Sequence, residues 1–352
     1  MKKSFLMILA AAALVSCSEK EVNPIDAGDV QIALRSTTVD ASGVATRAPF
    51  EGAISATNKL EARVIAHLSP NYAGAVRADG TMTFIGANAV SYDAGASGTT
   101  TFDAANPVYL FGLYPATTWS YVSGGQADFV FTGKEDVMAT NRVETYKTDV
   151  VNSTYKTLSF QHLLTKLELK LSAATAAINV FGKITAIKLV GDKTTGTTTI
   201  PNQMHVVNGG STHVLPETPM VVTAVTNAET ALNFYGLSVD GSSKKVYSES
   251  AFSDYMLTTT PEYVGYTMVA PVTASPTTGT EEYFLAITTE KLGVKYIGVD
   301  LMAAGGVTAF NGNTAGRSFS ISVYFKSNDE IMTDVEVIDW IEEGESKGDI
   351  AQ

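Results

Sequence analysis

The sequence predicts an all-β protein made of two β-sandwich domains. Apolar and polar residues alternate over short stretches, as in residues 166–171 (KLELKL), 184–190 (ITAIKLV) and 319–325 (FSISVYF). This period of two is typical of strands with one buried face. Clusters of Gly, Asn, Asp and Pro separate such stretches about every dozen residues, which favours antiparallel sandwiches. Helical periodicity is scarce, and a short turn at residues 161–165 is the one helical exception that we expect.

Composition excludes several classes of protein. The 352 residues include 24 Lys and Arg and 36 Asp and Glu, which gives a net charge of −12. Hydrophobic residues make up 45% and charged residues 17%, so disorder over most of the chain is excluded. A chain this acidic has no electrostatic surface for nucleic acid, and we expect no nucleic-acid partner. Its single cysteine excludes an intrachain disulfide framework and a cysteine-based zinc site.

Four segments of the chain have distinct expected roles. Residues 1–16 are predicted to be a lipoprotein signal peptide, and residues 17–47 a propeptide that carries a removable strand. The 305 residues that remain are enough for about two domains. We place an N-terminal sandwich at residues 48–162 and a C-terminal sandwich at residues 163–352. The composition changes little near residue 162, so the boundary is set mainly by the similar size of the two parts.

The leader has the pattern of a lipoprotein signal. Lys2 and Lys3 precede an apolar run at residues 5–15, which is far shorter than the roughly 20 residues that a spanning helix needs. The run ends in residues 14–17 (LVSC), which resemble the bacterial lipobox at every position. We therefore predict lipid attachment at Cys17 and an outer-membrane lipoprotein precursor, anchored by its lipids. The alternative is a free, buried cysteine that follows an apolar stretch.

A strand with one buried side is predicted shortly after the leader. Val30, Ile32 and Leu34 share one face of residues 29–35 (DVQIALR), and polar residues occupy the other. Residues 36–46 follow, and they are mostly small residues with little capacity to form a core. We expect the preceding strand to be the part of the propeptide that is displaced.

The Arg47–Ala48 bond is the predicted site of proteolytic maturation. An arginine at the end of a segment of small residues suits a trypsin-like or Arg-specific protease, which needs an extended, accessible backbone. Arg35 is the competing site, but a residue within a paired strand is protected. Cutting after Arg47 would separate the lipid and the Val30–Leu34 strand from the rest of the chain.

A replacement strand is predicted near residues 331–341 (IMTDVEVIDWI). Val335 and Val337 lie on one face of this segment, whereas Ile338 and Trp340 fall on the other, so we expect a bulge or two short strands. A sandwich that loses a covered strand exposes unpaired backbone groups, which can accept a strand from another molecule. The alternative is that residues 331–341 form the last strand of their own domain and residues 17–47 are a plain tether.

Several motifs together resemble the fimbrillin family, the type V pilins of Bacteroidales. Besides Cys17 and Arg47, the matching stretches are residues 158–167 (LSFQHLLTKL), 110–115 (LFGLYP) and 335–344 (VEVIDWIEEG). The resemblance spans nearly the whole chain. One departure is Leu113, where a tyrosine is common in the family.

The resemblance implies a fold, a maturation route and partners. Family members are two transthyretin-like Greek-key β-sandwich domains, exported as lipoproteins, cleaved after an arginine and polymerised by exchange of the N-terminal strand for a neighbour's C-terminal strand. The expected partners are other fimbrial subunits in a homopolymer or a stalk, tip and anchor assembly, the maturation protease, and a host surface or other bacteria. The expected location is the cell surface or the fimbrium after maturation.

The alternative function is a surface glycan-binding β-sandwich lipoprotein that does not polymerise. The aromatic residues Tyr114, Trp119 and Tyr121 could stack on sugars, although rings near a strand end are more often packed. His205 and His213 could meet across a turn as a metal pair, but polar strand residues are the simpler interpretation. Because no hydrolase, nucleotide-binding or calcium-loop signature is present, we expect no enzyme activity, no cofactor and no metal.

Overall fold

The fold is all-β, as the sequence predicts. A computed structural model describes the residues that follow: 29–38, 50, 54–72, 74–86, 88–92, 95–103, 106–122, 126–193, 198–207, 221–225, 231–272, 283–301, 314–327 and 330–338. Within these ranges the chain forms 24 strands and two short helices. The predicted lipid-attachment and cleavage residues, Cys17, Arg47 and Ala48, lie outside the described residues.

Strands and helices follow one another along the chain from β1 to β24. They are β1 (Ala33–Thr38), β2 (Leu60–His67), β3 (Ala78–Phe84), β4 (Val90–Ser91), β5 (Ser97–Gly98), β6 (Val108–Tyr114), β7 (Ser120–Val122), β8 (Gln126–Val130), β9 (Met138–Thr140), β10 (Val143–Thr145), α1 (Lys147–Val151), β11 (Thr157–His162), β12 (Thr165–Ala173), α2 (Thr175–Phe181), β13 (Lys183–Val190), β14 (Gln203–Val207), β15 (Val221–Val225), β16 (Ala231–Asn233), β17 (Tyr235–Val239), β18 (Lys245–Ala251), β19 (Tyr255–Met256), β20 (Glu262–Val269), β21 (Tyr283–Thr289), β22 (Gly293–Val299), β23 (Ser318–Phe325) and β24 (Ile331–Ile338).

The first sheet takes its nine strands from the N-terminal part of the chain. Its order is β4-β1-β11-β9-β6-β2-β3-β5, with β10 beside β6. Strand β6 lies between β9 and β2, and all of its residues are buried because both of its faces are covered. Val108 and Leu110 face a core that they share with Ile32 and Leu34, whereas Phe111 faces a second, larger core.

Two further sheets enclose the larger core in the C-terminal part. The order of one is β18-β17-β20-β12-β23-β24, and the order of the other is β16-β13-β21-β22, with β19 beside β13. Alternate residues such as Leu167 and Leu169 of β12 are buried in this core, together with Ile187 of β13 and Leu285 of β21. Two sheets that face each other across a shared apolar layer form a β-sandwich.

A four-stranded sheet joins the two parts of the chain. Its order is β15-β14-β8-β7, so β7 and β8 come from before residue 162 and β14 and β15 from after it. Phe129 of β8 lies opposite Met204 of β14, and both side chains are buried in the larger core. The boundary at residues 162 and 163 stays a prediction, but backbone hydrogen bonds connect its two sides.

Local structure differs from the sequence-based expectation in three places. Residues 161–165 hold the end of β11 and the start of β12, not a helical turn. The two helices, α1 and α2, were not predicted, because each is too short for a clear helical period. Strand β24 pairs with β23 in one unbroken register from Ile331 to Ile338, so the expected bulge is absent over those residues.

Candidate functional site

The N-terminal segment occupies a slot between two other parts of the first sheet. The backbone N–H of Ile32 donates to the carbonyl of Thr100 at 2.9 Å, and its carbonyl accepts from the N–H of Tyr92 at 2.7 Å. The N–H of Phe102 also donates to the carbonyl of Val30 at 3.0 Å. These three bonds lie along one edge of residues 30–34, because the N–H and C=O groups of alternate residues in a strand point to the same side, and β11 covers the other edge from Arg35 onward.

The same segment changes partners at Leu34. Leu34 pairs with Val90 of β4, and from Arg35 onward β1 runs parallel to β11, where Thr38 lies opposite Phe160. Strand β1 thus connects β4 to β11 in the sheet order. Removing it would leave the outer edge of β11 without the strand that now covers it, and such an edge is a template for another strand.

The side chains of the segment follow the predicted alternation. Ile32 and Leu34 are fully buried in the core of the first sheet, and Val30 is half-buried against it. Gln31 and Arg35 are exposed on the other face. Burying an aliphatic side chain contributes about 1.5–3 kcal/mol. The slot therefore favours any strand with apolar residues at alternate positions.

The predicted donor strand β24 lies at the edge of the six-stranded sheet. It pairs with β23 within the same chain, with Val335 opposite Ile321 and Ile331 opposite Phe325. Ile331 and Val335 pack partly against the larger core, and Ile338 is half-buried. Met332, on the outward face, is 51% exposed. Strand β24 is held on one edge only, unlike β1, which lies between β4 and β11.

Two predicted donor residues are only partly covered by the described structure. Val337 lies within β24, but its side chain is outside what the structure describes, and Trp340 lies outside the described residues. The role of these two side chains in a donor strand therefore stays a prediction.

The aromatic residues considered for glycan stacking are packed where they are described. Trp119 is 5% exposed and its ring lies 5.1 Å from that of Phe129. Tyr114 is buried against Phe50, with ring centroids 5.9 Å apart. The side chain of Tyr121 is outside the described residues. These two described rings present no open face to a sugar.

The histidines that the structure describes are explained by contacts within the fold. His205 is bonded to Asp128, its partner across the β14–β8 pair, and His213 lies outside the described residues. Burial lowers the pKa of His67, so its imidazole is neutral at pH 7. Within the described ranges, no three side chains of His, Cys, Asp or Glu converge as metal ligands would.

One buried pair near the slot was not predicted as a pair from the sequence. His162 Nδ1 lies 3.0 Å from Asp136 Oδ1, and Asp136 Oδ2 accepts the backbone N–H of Phe50 at 3.0 Å. Residue 50 and residue 136 are far apart in the chain, so no spacing rule connects them. The only local hint was a single aromatic residue directly after Pro49.

No helix among the described residues has the length and apolar character needed to cross a membrane.

Comparison with known proteins gives structural neighbours only. No family model matches the chain, and no curated protein matches it. A candidate cell adhesion protein of Bacteroides uniformis is 16% identical over 88% of this chain and 98% of its own, with a TM-score of 0.49. One of Bacteroides ovatus is 13% identical over 90% and 99%, with a TM-score of 0.48. The tip fimbrial protein Mfa3 of Porphyromonas gingivalis, truncated at its C-terminus, is 11% identical over 89% and 100%, with a TM-score of 0.41.

These neighbours are of the kind that the sequence resemblance implies, namely fimbrial and candidate adhesion proteins of Bacteroidales. At this level of similarity they carry no argument about the function of this chain. The case for a function therefore comes from the slot and from the strands around it.

Proposed function

We propose that this chain is the precursor of a structural subunit of a type V pilus, a fimbria that supports cell adhesion, and that it is not an enzyme. The precursor is exported as a lipoprotein through Cys17, cleaved after Arg47 and polymerised by strand exchange at the cell surface. Its partners are other fimbrial subunits and a trypsin-like or Arg-specific protease. The observation that supports this most is the two-sided slot filled by residues 30–38, which precede the cleavable bond.

Cleavage after Arg47 changes how the N-terminal strand is held. Before the cut, residues 30–38 are covalently joined to the domain whose slot they fill, so they cannot diffuse away. After the cut, only their hydrogen bonds and the burial of Ile32 and Leu34 hold them. Each such hydrogen bond contributes about 0.5–1.5 kcal/mol, so the fragment becomes replaceable by a competing strand.

Strand β24 of a second copy fits the requirements of the slot. It is eight residues long, and Val335 and Val337 repeat the alternate aliphatic spacing of Ile32 and Leu34. In its own sheet it has a partner strand on one side, whereas in the slot it would lie between β4 and β11. A partner strand on each side favours transfer of β24 to the neighbouring molecule.

The test is controlled cleavage of the full-length chain in detergent with an Arg-specific protease. We expect one early cut after Arg47, shown by N-terminal sequencing, followed by an SDS-resistant ladder of subunits. Arg47→Gln should abolish both the early cut and the ladder, whereas Arg35→Gln, the matched control, should change neither. An early cut at Arg35, or a complete cut at Arg47 with no ladder at any concentration, would contradict the proposal.

A further inference from the structure

Phe50 is anchored although it lies only three residues after the predicted cleavage bond. Its side chain is fully buried in the core that also contains Ile32 and Leu34. Its backbone N–H donates to Asp136 Oδ2 at 3.0 Å, and its ring meets Tyr114 edge-on at 5.9 Å. The chain is thus held at this residue by both its backbone and its side chain.

Asp136 is itself held in place for this contact. Its carboxylate and the imidazole of His162 are almost completely buried, with His162 Nδ1 3.0 Å from Asp136 Oδ1. A buried carboxylate requires hydrogen-bond donors, and here the imidazole and the Phe50 N–H supply them. Burial, and secondly the nearby Asp136 carboxylate, raise the pKa of Tyr114.

Phe50 and the end of β1 lie at the same end of strand β11. Thr38, the last residue of β1, is opposite Phe160, and His162 is the final residue of β11. Thr38 and Phe50 therefore both lie near one end of that strand. A cut after Arg47 would leave one anchored end on each side of the break.

We propose that Asp136, His162 and Tyr114 form a seat for Phe50 that retains the new N-terminus of the mature chain when residues 1–47 leave. This inference rests on the proposed cleavage after Arg47. Pro49 has no backbone N–H, so Phe50 supplies the first backbone N–H after those of the new terminal residue. The seat binds that donor through a carboxylate and the aromatic ring through Tyr114, and it prevents trimming beyond residue 50.

The seat gives a function to two motifs that strand exchange does not use. His162 belongs to the stretch at residues 158–167, and Tyr114 to the stretch at residues 110–115. They lie in different strands, β11 and β6, and they converge on one residue of the N-terminal region. Strand exchange concerns residues 30–38, whereas the seat concerns the segment that stays behind.

Chymotrypsin provides a direct test, because it cuts after aromatic residues and Phe50 is the only aromatic residue between Asp29 and Leu68. The full-length chain in detergent is first cut with an Arg-specific protease and then exposed to chymotrypsin, with cleavage after Phe50 followed by intact mass. We expect wild type to resist. Asp136→Asn should be cut about ten- to a hundredfold faster, because it loses a hydrogen bond to a charged group.

Glu135→Gln is the matched control for Asp136→Asn. Glu135 is the adjacent carboxylate, and it bonds to Thr132 instead of to Phe50. This variant should be cut at the wild-type rate.

A second measurement needs no variant, namely hydrogen exchange of the Phe50 amide in wild type before and after the Arg47 cut. We expect that amide to stay protected in both states.

The outcomes separate this inference from the proposed function. If no cut occurs after Arg47, the proposed function is contradicted. A normal cut followed by rapid chymotrypsin cleavage of wild type, or by loss of protection at the Phe50 amide, overturns the seat and leaves strand exchange intact. If Asp136→Asn does not fold, the exchange measurement on wild type decides the question alone.

Discussion

Tyr92 donates its backbone N–H to the carbonyl of Ile32 at 2.7 Å, and the same tyrosine donates its hydroxyl to the carbonyl of Val64. Val64 belongs to β2, which lies well inside the first sheet between β6 and β3. One fully buried residue thus ties the N-terminal segment to an interior strand. When that segment leaves, Tyr92 keeps its side-chain bond but loses its backbone acceptor, so the slot favours an incoming strand that restores it.

Ile32→Ala should destabilise the uncut precursor by about 2–5 kcal/mol, because it removes a fully buried side chain and leaves a cavity. After cleavage the fragment that carries residue 32 should dissociate faster than the wild-type fragment. Calorimetric unfolding of the full-length chain measures the first effect, and size-exclusion chromatography of the cut chain measures the second.

Arg35→Ala is the control for Ile32→Ala. Arg35 is exposed, and its one described side-chain contact is with the ring of Tyr155 at 5.4 Å. Its loss should cost no more than about 1 kcal/mol. Equal effects of the two substitutions would mean that burial of the alternate face does not hold the segment.

Val335→Asp should block subunit transfer while the monomer still folds. Val335 packs partly against the core, so an aspartate placed in the slot of a neighbour would bring a charge among apolar side chains. The ladder that follows cleavage after Arg47 should then be absent. Gel electrophoresis without boiling is the measurement.

Met332→Asp introduces the same charge on the outward face of the same strand. Met332 is exposed in β24, and we expect its variant to form ladders at the wild-type level. A ladder from the Val335 variant would show that β24 is not the exchanged strand. The alternative would then remain that residues 331–341 form only the last strand of their own domain.

Local patterns predicted the strands but not most of their partners. The alternation of residues 166–171 and 319–325 identified β12 and β23, because a strand with one buried face shows a period of two in any fold. The alternate burial of Ile32 and Leu34 was readable for the same reason. Periodicity contains no information on pairing, so the parallel contact of β1 with β11 was not predictable.

Contacts between distant segments explain what local patterns could not reveal. Phe50 and Asp136 are 86 positions apart, and neither lies in a pattern that points to the other. Strand β8 pairs with β14 across the predicted domain boundary for reasons of tertiary packing. The chain length indicated two domains, but it could not show that a shared sheet would connect them.

Phe129→Ala should destabilise both parts of the chain, because Phe129 is buried in the core that the two parts share. We expect a loss of about 3–5 kcal/mol, and a coupling of about 0.5–3 kcal/mol with Met204→Ala in a double-mutant cycle. Urea unfolding of the four full-length variants measures both. Val130→Ala, an exposed neighbour in β8, should have little effect. Additive losses at residues 129 and 204 would contradict coupling through the shared sheet.

Glu168 carries a buried charge network on the face of β12 that points away from the larger core. Its carboxylate lies 3.2 Å from Lys166 Nζ and 3.0 Å from Lys245 Nζ, and it accepts the Tyr247 hydroxyl at 2.6 Å. Burial alone would raise the pKa of Glu168, but the two ammonium groups and the hydroxyl outweigh burial. The net result is a pKa below the ordinary value of 4.5.

A lowered pKa in the folded state makes the carboxylate stabilising above pH 4.5, and that contribution is lost as the pH falls through the folded-state pKa. Glu168→Gln should therefore cost about 3–5 kcal/mol at pH 7, since it leaves the buried Lys166 and the half-buried Lys245 without their counter-charge. The difference from wild type should shrink when urea unfolding is repeated at pH 3. Glu249→Gln alters an exposed carboxylate 4.0 Å from Lys134, and it should cost under about 1 kcal/mol at either pH. A Glu168→Gln penalty that is the same at both pH values would show that the carboxylate contributes by shape and not by charge.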